Sequence, residues 1–399
     1  MDSKYHEPRG GPNPQVMGIV LSTASCLIIS TNLVVAAALL KLLIKKSSQS
    51  WCFVLNLALA DIFVGVAITG LATEDFGKVA LDPSGDGPLR NSTPPASGRT
   101  RCLLRMAFVT SPCTASIMSM FLISLDRYAA IKMPLHYSLL SGKWTAAGSL
   151  LAVWICSFVT GFLPVMVRQL QARTTYDGFC AFFSVIHDIG VIVLFCTLFF
   201  PVLSLFIYMY LDILKIAYTH QRQISRVRQA SSRSTSSDQG HAHYLHHHHL
   251  RSGDWSHVKA LRTVALLVGC FMVLWCPFFV VCIVHILCES CRLKHVLENY
   301  LWLLGLSNSL INPLVYAFWQ REVRLQLAAM FSCIAGRWAA RRRRRRRRGA
   351  TRCRRFRLST DAARPKQPAP RCYCQTPGTR TERRRRPPPS PPYEMRINC

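Results

Sequence analysis

Residues 102–137 read CLLRMAFVTSPCTASIMSMFLISLDRYAAIKMPLHY, an apolar run with polar ends, Cys102 at one and Asp126-Arg127-Tyr128 near the other. Cys102 and Arg127 stand 25 positions apart. At 1.5 Å per residue that is about 37 Å of helix, longer than the roughly 30 Å hydrocarbon core of a bilayer. The length predicts a tilted transmembrane helix with the cysteine and the arginine at opposite membrane faces. The acid–arginine pair then has two readings. One is a stop-transfer anchor with an interfacial arginine; the other is a functional pair turned toward protein or water.

Of 399 residues half are hydrophobic, a composition shared by large soluble proteins and polytopic membrane proteins. The pattern decides between them. Seven apolar stretches of at least ~18 residues recur, near 16–44, 51–72, 103–131, 144–167, 182–214, 258–287 and 297–318. The expectation is an all-α membrane protein, a seven-transmembrane helix bundle over 16–318. The polar segment 1–15 lacks a cleavable signal pattern, so the first span is expected to direct insertion itself.

Positive charge sets the orientation. Lys41, Lys45 and Lys46 follow the first span, Arg127, Lys132 and Lys143 lie between the third and fourth, and Lys215, Arg222, Arg226 and Arg228 follow the fifth. Residues 337–399 carry 22 Lys and Arg against three acids, so most of the net charge of +30 belongs to this tail. The tail is placed in the cytoplasm and the N-terminus outside, at the plasma membrane. In a soluble protein Arg341–Arg348 and Arg383–Arg386 would suggest nucleic acid. Following a membrane helix, they suggest anionic lipid instead, and no nucleic-acid partner is expected. Segment 334–399 is expected to be a disordered, Arg- and Pro-rich cytoplasmic tail.

Eight of the 17 cysteines fall inside spans, where a thiol acts as a small buried hydrophobe. Cys102, Cys180, Cys288 and Cys291 fall on the oxidising outer side and can pair. Cys102 with Cys180 would pin the loop after the fourth span over the bundle mouth. Cys288 and Cys291 read as a local disulfide, since a zinc site would need a second pair. The outer loop 73–101 carries the glycosylation sequon Asn91-Ser92-Thr93. On the inner side, 219–254 is expected to be a disordered third loop, with a histidine-rich tract (His241, His243, His246–His249) that reads as low complexity. That loop also holds a basic kinase-type site at Ser231. Residues 318, 319, 323, 327, 330 and 331 share one helical face, so 319–333 reads as an amphipathic helix on the membrane, ending near Cys333, a candidate palmitoylation site or a chance thiol.

Within the spans, Asn32 and Asp61 are polar groups that need buried partners. Pro201, Pro277 and Pro313 interrupt three consecutive spans. Taken in order, Asn32, Asp61, Cys102 with Cys180, Asp126-Arg127-Tyr128, Trp154, Pro201, Trp275-Cys276-Pro277 and Asn312-Pro313-Leu314-Val315-Tyr316 resemble the signature positions of the rhodopsin-like (class A) G-protein-coupled receptors. The resemblance covers roughly 16–333, and the arginine-rich tail and histidine-rich loop lie outside it.

This resemblance implies a G-protein switch at Asp126, Arg127, Tyr128, Asn312, Pro313 and Tyr316, and an activation toggle at Phe271, Trp275, Pro277 and Pro201. It implies a heterotrimeric G protein as partner, with arrestin and receptor kinases. Where many relatives carry an acid that clamps the arginine from the sixth span, this chain has His257, which implies signalling without ligand. Asp61, Ser116, Asn308, Ser309 and Asn312 match the family's sodium site and are all oxygen-bearing; a hydrogen-bonded core without an ion is the other reading. No further cofactor is implied.

Amine receptors of the family carry an aspartate where this chain has Val109, so a cationic amine is not the expected ligand. Arg105, Phe108, Val109, Phe182, Phe183, Trp275, Phe278, Phe279, Glu298 and Trp302 form the candidate ligand site, aromatic and apolar as a lipid chain needs. Within the family the chain is similar to receptors for lipid amides such as oleoylethanolamide, which act through a stimulatory G protein and cAMP. Another lipid, lysophospholipid or cannabinoid-like, or activity without any ligand, is the alternative. A transporter or channel would need facing ionisable residues or an inverted repeat. An enzyme would need a catalytic constellation that His187, Asp188 and His285 do not supply.

Overall fold

The protein is described by a computed structural model, which covers residues 14–81, 95–172, 180–194, 197, 199–233, 242–288, 290–291 and 293–361. Among these the secondary structure is helical apart from one isolated β-bridge. Long helices α1 (Pro14–Lys45), α2 (Gln49–Leu81) and α3 (Pro95–Lys132) are followed by α4 (Pro134–Leu140) and α5 (Lys143–Met166). Short α6 (Phe182–Val185) and α7 (Asp188–Leu194) lead into α8 (Phe200–Arg233) and α9 (Ala242–Leu287). The last span is built from α10 (Lys294–Val296), a π-helical turn Leu297–Leu301, α11 (Trp302–Leu306) and α12 (Asn308–Trp319), after which α13 runs Arg321–Asp361. The chain forms two compact units, Met1–Leu327 and Ala328–Cys399, the first holding the bundle.

Among the described residues six helices are long and apolar enough to cross a membrane, and a shorter apolar helix, Phe200–Asp212, stands where the fifth span is expected. The α3 helix is the hub. It packs against α2, α5, α8 and α9, and 67% of its apolar stretch is buried, against 17% for α5. Large apolar side chains such as Leu151, Ile155 and Val273 are exposed on the outside of the bundle, where hydrocarbon would cover them.

Several expected boundaries are corrected. The fifth span does not begin at Phe182, because Ile186 pairs with Gln171 as an antiparallel bridge and His187 donates to the Leu170 carbonyl, holding that segment in the outer loop. Pro201 lies in the first turn of α8, directly after residues 197 and 199 in π-helical conformation, so the helix is distorted beside the proline where a kink is expected. Much of 219–254 is helical, as α8 continues to Arg233 and α9 begins at Ala242. Likewise the helix expected over 319–333 continues to Asp361 in place of a disordered segment. For α8 and α13 the reason is shared: Gln and Arg are good helix formers, so the helix propagates beyond the last apolar turn.

Both outer disulfides are present. Cys102 is bonded to Cys180 with Cα atoms 5.5 Å apart, and Cys288 to Cys291 at 5.3 Å. The loop beneath the first is tied back further by Gln171, whose amide donates to the Pro164 carbonyl at the end of α5 (2.9 Å), satisfying a carbonyl the helix end leaves over.

Candidate functional site

At its inner end α3 presents two polar faces. On one, the Arg127 guanidinium donates to Asp126 from Nη2 at 2.7 Å and from Nε at 3.2 Å. The same carboxylate accepts from the Ser50 hydroxyl (2.6 Å) and Gln49 amide (3.3 Å) of α2 and from the Tyr137 hydroxyl (2.8 Å) of α4. Asp126 is therefore buried and fixed by five contacts, while the arginine it holds keeps 30% of its side chain exposed. That is a restrained cation at an accessible edge, turned toward protein and water. On the other face, Tyr128 donates to Asp212 of α8 at 2.7 Å, and Lys132 pairs with the same carboxylate oxygen. Asp212 was not singled out by its sequence; an acid at the end of an apolar stretch was the available signal.

Deeper in the bundle Asp61 is fully buried and accepts from the Ser116 hydroxyl (2.7 Å) and the Asn312 amide (3.0 Å). Asn308 and Ser309 are buried on the same helix as Asn312. Asn32 of α1 donates to the Ser309 carbonyl at 2.9 Å, which supplies its expected interhelical partner. The carbonyl oxygens Asn308 Oδ1 and Asn312 Oδ1 are buried and accept no hydrogen bond. A buried carboxylate beside two unsatisfied oxygens fits a small hard cation. Among the described residues no three His, Cys, Asp or Glu side chains converge, so a nitrogen- and sulfur-rich transition-metal site finds no support here. Just inward lie Pro313 and Tyr316, both buried, the tyrosine hydroxyl without a partner.

Asn56 of α2 joins three helices. Its amide donates to Ser119 of α3 at 2.8 Å and its carbonyl accepts from the Trp154 indole of α5 at 2.9 Å.

Above this core, rings dominate. Phe121 of α3 meets Phe206 of α8 edge-on, Phe206 meets Phe271 of α9, and Phe271 meets Phe199, which stacks on Phe279. Trp275 closes the cluster against Phe278 and Phe279, at 6.0 and 5.7 Å between centroids. The α11 helix comes close because residue 305 is glycine: a Cβ there would lie 2.7 Å from the Trp275 ring. Of the residues expected to form a toggle, Phe271 and Trp275 are buried in this cluster and Pro277 is half-buried beside it on α9.

The candidate ligand residues do not all converge. Val109 faces inward and is buried, as are Phe278 and Phe279. Phe183 packs edge-on against His285 of α9 and carries Phe182 beside it. Arg105, Glu298 and Trp302 are half-buried on α3, the π-helical turn and α11. Phe108 is a correction: it is 58% exposed on the outer surface and meets Phe162 of α5 edge-on. Neighbours on a helix diverge by about 100°, so Val109 and Phe108 cannot both face the bundle interior. Cys333 lies within α13. Asn91 lies outside the described residues.

Residues 31–316 match the family described as "7 transmembrane receptor (rhodopsin family)". The human glucose-dependent insulinotropic receptor is 42% identical over 313 residues, covering 78% of this chain and 85% of that receptor. The receptor of the same name from Rattus norvegicus is 41% identical over 78% of this chain and 61% of its own length. The canine histamine H2 receptor is 26% identical over 79% of each chain. The chain belongs to the rhodopsin family of seven-transmembrane receptors, and is a receptor rather than an enzyme.

Proposed function

We propose that this receptor binds a lipid amide such as oleoylethanolamide at its outer, aromatic half, and signals through a stimulatory G protein to raise cAMP. The observation that carries the reading is the 42% identity to the human glucose-dependent insulinotropic receptor across most of both chains. The chemistry supports it. Val109, Phe183, Trp275, Phe278 and Phe279 present buried apolar and aromatic surface, which suits an acyl chain, with Arg105 and Glu298 at the outer ends for a polar head. An amine, the ligand in the more distant relatives' name, would find Val109 where a carboxylate anchor is needed.

In this reading the receptor sits in the plasma membrane with its N-terminus outside and Asn91 glycosylated. Arrestin and receptor kinases act on its cytoplasmic face. The arginine-rich segment that follows the last span meets anionic lipid. Ligand displaces the rings around Trp275, α8 and α9 shift, and Arg127 leaves Asp126 for the G protein. His257 supplies no carboxylate to hold Arg127 from α9, so basal signalling is appreciable. Sodium at Asp61, Ser116, Asn308, Ser309 and Asn312 would neutralise the buried carboxylate and stiffen the resting bundle.

The test is cAMP in cells expressing the receptor, with and without oleoylethanolamide, beside Arg127→Ala. A lipid-dependent rise that the substitution abolishes is expected. Basal cAMP unmoved by lipid would remove this ligand class, and no cAMP change despite surface expression would remove the stimulatory coupling.

A further inference from the structure

Tyr128 and Lys132 are four residues apart on α3, so they share one helical face, and both reach Asp212 of α8. The Lys132 ammonium also lies 5.7 Å from the Tyr128 ring centroid, so the three groups form one cluster. Arg127, one position away, is turned to the other face and held by Asp126. Hence the arrangement that restrains Arg127 also ties α8 to α3. At the start of the sixth span, where a second clamp on the arginine would be sought, the sequence carries His257.

We infer that Asp212 is a positioning residue of the switch: its bonds to Tyr128 and Lys132 form a resting latch between α3 and α8. The latch is poised to break. Asp212 and Lys132 keep 20% and 40% of their side chains exposed, so water can replace each partner at low cost. The tyrosine bond is the directional part, since a neutral donor on a carboxylate is a charge-assisted hydrogen bond. Opening α8 outward from α3 stretches both bonds at once and frees the Tyr128 hydroxyl, one position along α3 from the arginine that must be released.

The inference rests on the receptor switch and not on the choice of ligand or G protein, and the experiment separates these. The full-length receptor in lipid nanodiscs carries one spectroscopic label at the inner end of α5 and one on α8 near Tyr218, introduced without cysteine chemistry, and the distance between them is measured without ligand. Asp212→Asn is expected to raise the ratio of the long-distance to the short-distance population about threefold to tenfold. Tyr128→Phe, which removes a single hydroxyl, should produce a smaller rise in the same direction. The exchanged pair, Asp212→Lys with Lys132→Asp, should return the ratio toward the parent. Ligand-independent nucleotide exchange, read against stimulatory, inhibitory and phospholipase-coupled G proteins, should follow the ratio for whichever class couples. An unchanged or shortened distance in both Asp212→Asn and Tyr128→Phe would overturn the inference, as would an exchanged pair no closer to the parent than Asp212→Asn. Should Asp212→Asn fail to reach the membrane, Tyr128→Phe decides alone.

Discussion

The two sides of α3 are built from different materials. Toward α2 and α5 the buried polar contacts are hydrogen bonds and close backbone: Asn56 with Ser119 and Trp154, Asp61 with Ser116, and Gly161 against Ser111 and Ala107. Toward α8 and α9, away from the Asp212 bonds at the end of α3, they are rings, running Phe121, Phe206, Phe271, Phe199 and Phe279 up to Trp275. A buried donor that loses its acceptor costs about 1–3 kcal/mol, and a backbone contact has one depth. An edge-to-face ring pair is worth only about 0.5–1.5 kcal/mol beyond its buried area and tolerates sliding. The difference teaches which side moves. The first side is a scaffold, and the second is where a ligand can shift helices at little cost.

The largest effect expected from this contrast is on the scaffold side. An added Cβ at Gly161 would lie 2.2 Å from Ser111 Oγ, 2.8 Å from Ser111 N and 2.9 Å from the Ala107 carbonyl oxygen. A hydroxyl can rotate away, but two backbone atoms cannot, so α5 must lift off α3. Gly161→Ala is expected to destabilise the purified receptor by about 3 kcal/mol, the upper part of the overpacking range. Gly148 is on the same helix with nothing within 4 Å of its added Cβ, so Gly148→Ala should be neutral or gain up to about 1 kcal/mol from helix propensity. Thermal unfolding in detergent reads both. Equal midpoints for the two variants would break the distinction between scaffold and moving side.

A middle-sized effect is expected where the two sides meet, at Asp61 and α12. Replacing an inert organic cation by sodium at constant ionic strength should raise the unfolding midpoint of the parent. At a sodium concentration about five times the dissociation constant the gain is about 1 kcal/mol. Asp61→Asn keeps the shape and an acceptor but lacks the charge, and its midpoint should not respond. A parent indifferent to sodium would leave Asn308 Oδ1 and Asn312 Oδ1 as unsatisfied acceptors of a purely hydrogen-bonded core.

How far the sequence disclosed all this follows the same division. Asp61, Asn32 and Asp126-Arg127 stand out because a charge or amide in an apolar run demands a partner, and the partners were found on facing helices. The cysteines on the outer side paired for a similar reason, having few alternatives. Rings carry no such demand. Phe108 and Val109 look equally suited to a pocket when read in line, and helical phase alone put one outside and one inside. Asp212 escaped notice because a carboxylate at a span's end is ordinary until Tyr128 and Lys132 are seen across from it. Helix ends such as Arg233, Ala242 and Asp361 were illegible for another reason: polar helix formers neither require nor forbid a further turn.

The smallest effect is the one that tests this phase argument. Phe108 is 58% exposed and its ring meets Phe162, so its removal strips apolar surface from the lipid-facing side and leaves the interior unchanged. Phe108→Ala should therefore move the half-maximal lipid concentration by less than about threefold, or roughly 0.7 kcal/mol. Phe279 is buried against Trp275, Phe278 and Phe199. Its truncation removes ring contacts from the movable side itself, so Phe279→Ala should shift the same value by more than about tenfold. The ratio of the two shifts is what matters, since any general loss of expression or coupling acts on both. If Phe108→Ala proves as damaging as Phe279→Ala, the ligand reaches the bundle from the α3–α5 side, and the face taken here as scaffold is part of the pocket.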